Sequence, residues 1–142
     1  MSRKKIPEKI VVKVRQDAKN RCGYCLSHQD FIPIILQVDH ISPLDEGGTD
    51  DEENLWLLCG TCNRAKSNKV SVFDKVTQTK VLLFNPRNDN WHEHFSWSED
   101  GIEIIGKTAT GRATVSALNL NRDLYIIVRR NWIIAGWHPP KE

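Results

Sequence analysis

Residues 22–63 read CGYCLSHQDFIPIILQVDHISPLDEGGTDDEENLWLLCGTCN, and the pairs that bound this stretch, Cys22-Gly23-Tyr24-Cys25 and Cys59-Gly60-Thr61-Cys62, decide how it folds. Two such pairs supply four thiolates, the number that closes a tetrahedral zinc site, so Cys22, Cys25, Cys59 and Cys62 are expected to hold one structural zinc ion. That staple would pin both ends of the intervening segment and fix where the Asp39-His40 dipeptide and Asn54 point, with Asn63 directly after the last cysteine. Cys-Gly-x-Cys pairs also occur in thioredoxin-type redox motifs, which belong at a strand-to-helix junction within a βαβ pattern; the sequence lacks that context. In a reducing compartment, two pairs favour a metal over disulfides.

Working outward from this frame, Pro7 to about Lys19 reads as a helix: Pro7 suits a first turn, and Ile10, Val14 and Ala18 recur every four residues. Ile34 to Ile41 reads as a strand that includes His40, a polar loop with Gly47-Gly48 follows, and the apolar run Leu55 to Leu58 reads as a second strand. The second cysteine pair opens a short basic helix, from Asn63 to about Val70. Strand, loop, strand and helix in this order bring Asp39, His40 and Asn63 toward one place.

The 142 residues suffice for one domain, or one domain with an extension, and the net charge of +2 says little about partners. Its distribution says more. Residues 1–30 and 61–90 are basic, whereas residues 31–60 carry seven carboxylates and no lysine or arginine. Such a split suits a phosphate-binding protein whose carboxylates gather near divalent cations, although charge blocks are more often solvated faces. The start, Ser2 to Lys9, is basic without an apolar stretch behind it, and no apolar run approaches the roughly 20 residues that span a bilayer. The expectation is a cytoplasmic protein with no membrane partner.

The string Val38-Asp39-His40-Ile41-x-Pro43, then Gly47-Gly48-Thr49, Glu53-Asn54-Leu55, and Leu58-Cys59-x-x-Cys62-Asn63-x-x-Lys66 resembles the HNH endonuclease motif on the ββα-metal fold, in its zinc-bearing four-cysteine subgroup. The resemblance covers roughly residues 20 to 68. It departs from the motif at the third letter, usually histidine, where Asn63 stands. It implies a nuclease that cleaves nucleic acid with one catalytic divalent cation, leaving a 3′-hydroxyl and a 5′-phosphate. On this reading His40 is the general base, since a histidine with its ordinary pKa near 6.5 can take a proton from the attacking water near neutral pH. Asp39 would point to the opposite strand face. Its carboxylate, with the Asn63 side-chain oxygen, would hold Mg²⁺ or another hard divalent cation. Asn54 matches the middle letter, which braces the loop and orients the base, and Arg64, Lys66 and Lys69 are candidates to meet phosphates.

Beyond Val70 the signals are weaker. Trp91-His92-Glu93-His94-Phe95 would place two histidines on one face if it were a strand, and packing is the favoured reading over a metal site. Ile102 to Ile105 is β-rich, Gly106 to Gly111 reads as a turn region, and Thr114 to Leu120 reads as a short helix. Asn121 is expected to cap a last helix, Arg122 to about Ile134, with Leu124, Ile127, Val128 and Ile134 toward a core and Arg129 and Arg130 toward solvent or DNA.

The sequence thus points to an α+β protein: a zinc-stapled ββα-metal nuclease core over residues 1–75 with an N-terminal helix, and a packed C-terminal extension over residues 76–142. Its expected activity is divalent-metal-dependent hydrolysis of phosphodiester bonds, with double-stranded DNA as the partner. The alternatives are a zinc-containing nucleic-acid-binding module without activity, or a nuclease subunit of a larger defence or mobile-element complex.

Overall fold

The computed structural model describes residues 6–141, so the basic start at Ser2 to Lys5 lies outside the described residues. The chain divides at Asn68/Lys69 into two compact units. No helix among the described residues is long and apolar enough to cross a membrane.

In the first unit, helix α1 spans Glu8–Asp17 and starts directly after Pro7, whose carbonyl accepts from the amides of Ile10 and Val11. Strand β1 (Gln37–His40) pairs antiparallel with β2 (Leu55–Leu58), with Gln37 opposite Leu58 and His40 opposite Leu55. β1 is shorter than its apolar run suggests. The Gln29 side chain accepts from the Leu36 amide (2.8 Å) and donates to the Ile34 carbonyl (3.1 Å), so a side chain rather than a neighbouring strand satisfies this backbone, and Ile34 and Ile35 stay exposed. Helix α2 (Gly60–Lys66) begins three residues earlier than expected, because the Cys59 sulfur accepts from the Cys62 amide at 3.4 Å and caps it. Val14, Tyr24, Leu36, Leu55, Leu57 and Leu58 are buried. Each contributes roughly 1.5–3 kcal/mol by transfer from water before chain entropy is subtracted. A core of that size is one that small units supplement with a staple.

The second unit opens with a hairpin, β3 (Ser71–Asp74) against β4 (Thr79–Leu82), followed by a one-turn helix α3 (Trp91–His94). A second antiparallel pair, β5 (Phe95–Trp97) and β6 (Ile104–Gly106), leads into helices α4 (Ala109–Leu118) and α5 (Asp123–Ala135). Phe84, Phe95 and Trp91 stack edgewise and tilted, with ring centroids 5.0 and 5.1 Å apart, over Ile104, Leu118 and Leu120. α4 starts five residues before its expected position: the Thr108 hydroxyl accepts from the Gly111 amide, and a Cβ on Gly111 would lie 2.1 Å from the His94 carbonyl oxygen. Only glycine permits that crossing.

The strand that would put two histidines on one face does not form, and the inward face expected for the last helix is overturned. His92 and His94 lie on a helical turn, where residues two apart diverge; His94 Nδ1 meets the Thr108 hydroxyl at 2.6 Å and His92 is exposed. On α5 the buried face departs from the expected one, although Arg130 is exposed as expected and Val128 is half-buried. Leu124 and Ile134 are 71% and 85% exposed and Ile127 is exposed as well, whereas Arg129 is 1% exposed. The guanidinium donates to the carbonyls of Ile102 (2.9 Å) and Leu120 (2.7 Å) and to the Asn121 side-chain oxygen (3.0 Å), and lies between the rings of Trp97 and Tyr125. Its planar fork satisfies three buried acceptors at once, which an aliphatic side chain could not do. Asn121 consequently does not cap α5; its amide bridges both backbone groups of Ile104.

The hairpin is tied to α4 by Asp74, buried and gripped through both oxygens by Arg112 (3.2 and 3.1 Å) with further bonds from Thr77. The Arg112 guanidinium holds this carboxyl well below the usual carboxylate range. A depressed folded-state pKa stabilises above the unfolded value near 4, and that stabilisation disappears as pH falls through the folded value. Thermal unfolding is therefore expected to show the second unit weakening below about pH 4, and Asp74→Asn should lower its Tm at pH 7 while flattening that acid limb. A variant with the parent's pH profile would show that the pair contributes nothing.

Candidate active site and metal centre

The frame of the site is a knuckle. Residues 22–26 turn back on themselves, with the Cys22 amide donating to the Ser27 carbonyl and the Leu26 amide to the Cys22 carbonyl. The Gly23 amide reaches the Leu57 carbonyl at 2.9 Å, fastening the turn to β2. This carries Cys22 and Cys25 to Cys59 and Cys62 at the start of α2, and all four buried sulfurs lie within 4.8 Å of one another. The Cys25 and Cys59 sulfurs are 3.8 Å apart, far beyond a disulfide bond and close to the edge of about 3.8 Å that a tetrahedron of Zn–S bonds near 2.3 Å requires. Burial pushes the Cys22 thiol up, and hydrogen bonding among the thiols raises Cys62 while the bond from Cys22 lowers Cys25. Four thiols so packed cannot all ionise without a cation among them. The cluster is suited to zinc.

Beside the frame, β1 ends at His40, 6% exposed, whose Nε2 lies 2.6 Å from the Asp50 carboxylate. An ionised carboxylate only accepts, so in the neutral ring the hydrogen sits on Nε2 and the lone pair falls to Nδ1. Asp50 comes from the loop between the strands, and Asn54 holds that loop closed. The Asn54 side-chain oxygen accepts from the Ser42 amide (2.9 Å), and its nitrogen donates to the carbonyls of Ser42 (2.9 Å) and Thr49 (2.8 Å). Gly48 is required for the same closure, since a Cβ there would stand 1.8 Å from the Ser42 oxygen.

Asp39, His40 and Asn63 line one cavity of about 340 Å³, together with Asp45, Lys66 and Ser67. Asp39 follows the strand alternation, yet at the strand's end it borders the same cavity as His40 rather than a separate one. Its carboxylate, the Asn63 amide and Asp45 offer hard oxygen donors, a set that fits Mg²⁺ or a similar cation, which takes one or two carboxylates and keeps its remaining positions for water and phosphate oxygen. Lys66 is buried, unlike the outward helix position expected for it: its ammonium donates to the His40 carbonyl at 3.1 Å. Burial lowers its pKa, and the Asp39 carboxylate opposes that shift. Arg64 is exposed on α2, while Lys69 lies beyond the helix end at Lys66. Sequence reasoning missed Asp45 and Asp50. The run Thr49-Asp50-Asp51-Glu52-Glu53 after Gly47-Gly48 signalled a loop able to return toward β1, but not which carboxylate turns inward.

The family description that matches is HNH endonuclease, over residues 22–69. The chain is similar to the Septu protein PtuA of Bacillus mycoides (strain KBAB4), 31% identical over 90 residues, which cover 56% of this chain and 13% of that protein. The chain thus spans a small part of the length of the curated relative it matches. No solved structure matches it. The cysteine frame, the two strands and α2 all lie inside the matched stretch, and residues 22–69 form an HNH endonuclease domain.

Proposed function

We propose that the chain is a divalent-metal-dependent endonuclease that hydrolyses phosphodiester bonds of double-stranded DNA. The observation that carries this reading is the shared cavity: a histidine oriented by a carboxylate, and two oxygen-donor side chains, border one space inside the HNH match. His40, hydrogen-bonded to Asp50 through Nε2, takes the proton of the attacking water at Nδ1. The water oxygen bonds to phosphorus, the P–O3′ bond breaks, and the departing oxygen gains a proton, leaving a 3′-hydroxyl and a 5′-phosphate. Asn54 keeps the loop closed so that Asp50 stays against His40. Asp39 and Asn63 would hold the catalytic cation, which supplies charge neutralisation at the phosphate when bound. Zinc held by the four thiolates would be structural, since the cysteines would fill its coordination positions. Arg64, exposed on α2, would meet phosphate.

A second reading is favoured by the small share of the PtuA relative that the chain spans. In it the domain works as the nuclease part of a larger assembly.

A plasmid-cleavage assay with and without Mg²⁺ or Mn²⁺ tests the first reading: metal-dependent nicking or linearisation by the chain alone supports it, and intact plasmid under all metals rules it out. Asn63 adds a graded readout. Asn63→Ala is expected to raise the metal concentration needed for half-maximal cleavage, whereas Asn63→His should shift preference toward Ni²⁺ or Zn²⁺, which imidazole favours over Mg²⁺. Unchanged metal dependence in both variants would place Asn63 outside the coordination shell.

A further inference from the structure

The second unit has a groove of about 450 Å³ between the β3–β4 hairpin and α4. Three lysines, Lys69, Lys75 and Lys80, line it, and none of the lining residues is acidic. The one carboxylate on β3, Asp74, is turned inward and held by Arg112 and Thr77, so it does not offset that charge. Between the lysines lies Phe73, 52% exposed and paired across the hairpin with Lys80. Ala113, Ser116 and Ala117 of α4, all small, line the same groove.

We propose that this groove binds a nucleic-acid strand with unpaired bases, one base stacking on Phe73 while Lys75, Lys80 and Lys69 meet the adjoining phosphates. The charge selects a polyanion, and the exposed ring selects one that carries flat aromatic groups. An acidic polypeptide would satisfy the lysines and leave Phe73 unused. A base inside a duplex has both faces covered by its neighbours, so only an unpaired base can lie on the ring. The choice of nucleic acid draws on the nuclease reading of residues 22–69, and it adds to that reading a contact with unpaired strand.

The test is fluorescence anisotropy of a labelled 12-nucleotide single-stranded DNA, run on the full chain with His40→Ala and no added divalent cation, so that cleavage does not enter the readout. The same background carrying Phe73→Ala is expected to bind roughly tenfold more weakly, with no such difference on an abasic strand of equal length. Lys75→Glu with Lys80→Glu should weaken both strands and reduce the salt dependence. Phe73 and both lysines are surface positions, and unchanged thermal unfolding confirms that each variant is folded. Equal binding of the Phe73→Ala protein and its parent would overturn the proposal, as would displacement of the strand by polyglutamate at equal charge, which would assign the groove to an acidic polypeptide. The plasmid assay is independent of these arms: a chain that cuts plasmid but fails them loses only the groove, and one that passes them without cutting loses only the nuclease reading.

Discussion

Cys22→Ser or Cys59→Ser is expected to unfold the first unit, and purified parent protein should carry one tightly held zinc ion per chain. Structural sites of this kind contribute on the order of 10–16 kcal/mol of apparent binding free energy near neutral pH, as much as or more than the roughly 5–15 kcal/mol of net stability that a whole domain retains. The four sulfurs converge from two segments 34 residues apart between Cys25 and Cys59, so losing one ligand releases the contact between the knuckle and α2. Metal analysis and circular dichroism decide the matter. Folded, metal-free protein with disulfides between these cysteines would contradict the zinc reading.

His40→Ala is expected to slow DNA cleavage by roughly 10² to 10⁴, the usual effect of removing a positioned general base. Zinc content and DNA binding should stay near the parent values, because the ring contributes to neither the thiol cluster nor the exposed basic surface. The parent's rate should also rise with pH, since only an unprotonated imidazole can accept the proton. Rates measured on a plasmid at saturating Mg²⁺ separate chemistry from binding. A His40→Ala protein that cuts at the parent's rate would falsify the assignment and require another group to activate the water.

What could be read from the sequence was what depends on neighbours in the chain. The cysteine pairs, the apolar run Leu55 to Leu58 and the Asp39-His40 dipeptide announced the frame, the second strand and the cavity edge, because spacing alone determines how they meet. The start of α2 was misplaced since its cap is a sulfur rather than one of the usual capping side chains. Non-local partners were invisible. Arg129 turns inward because acceptors at residues 102, 120 and 121 await it, and no periodicity on α5 could reveal them; by hydropathy the helix should have faced the other way. Asp50 was hidden for the same reason, being one of four consecutive acidic residues in a loop whose closure depends on the Asn54 amide. Lys66 likewise reads as a surface lysine until the His40 carbonyl is seen above it.

The sulfur of Cys59 belongs to two structures at once: it is a member of the thiol cluster and the acceptor that starts α2. Asn63 and Lys66 ride on that helix, one and two turns along, and both border the cavity. The frame and the cavity are therefore coupled in series, like a hinge pin that is also the first tooth of a gear. A disturbance at the cysteines reaches the cavity through the helix register itself, in addition to the link from Gly23 to Leu57 on the strands.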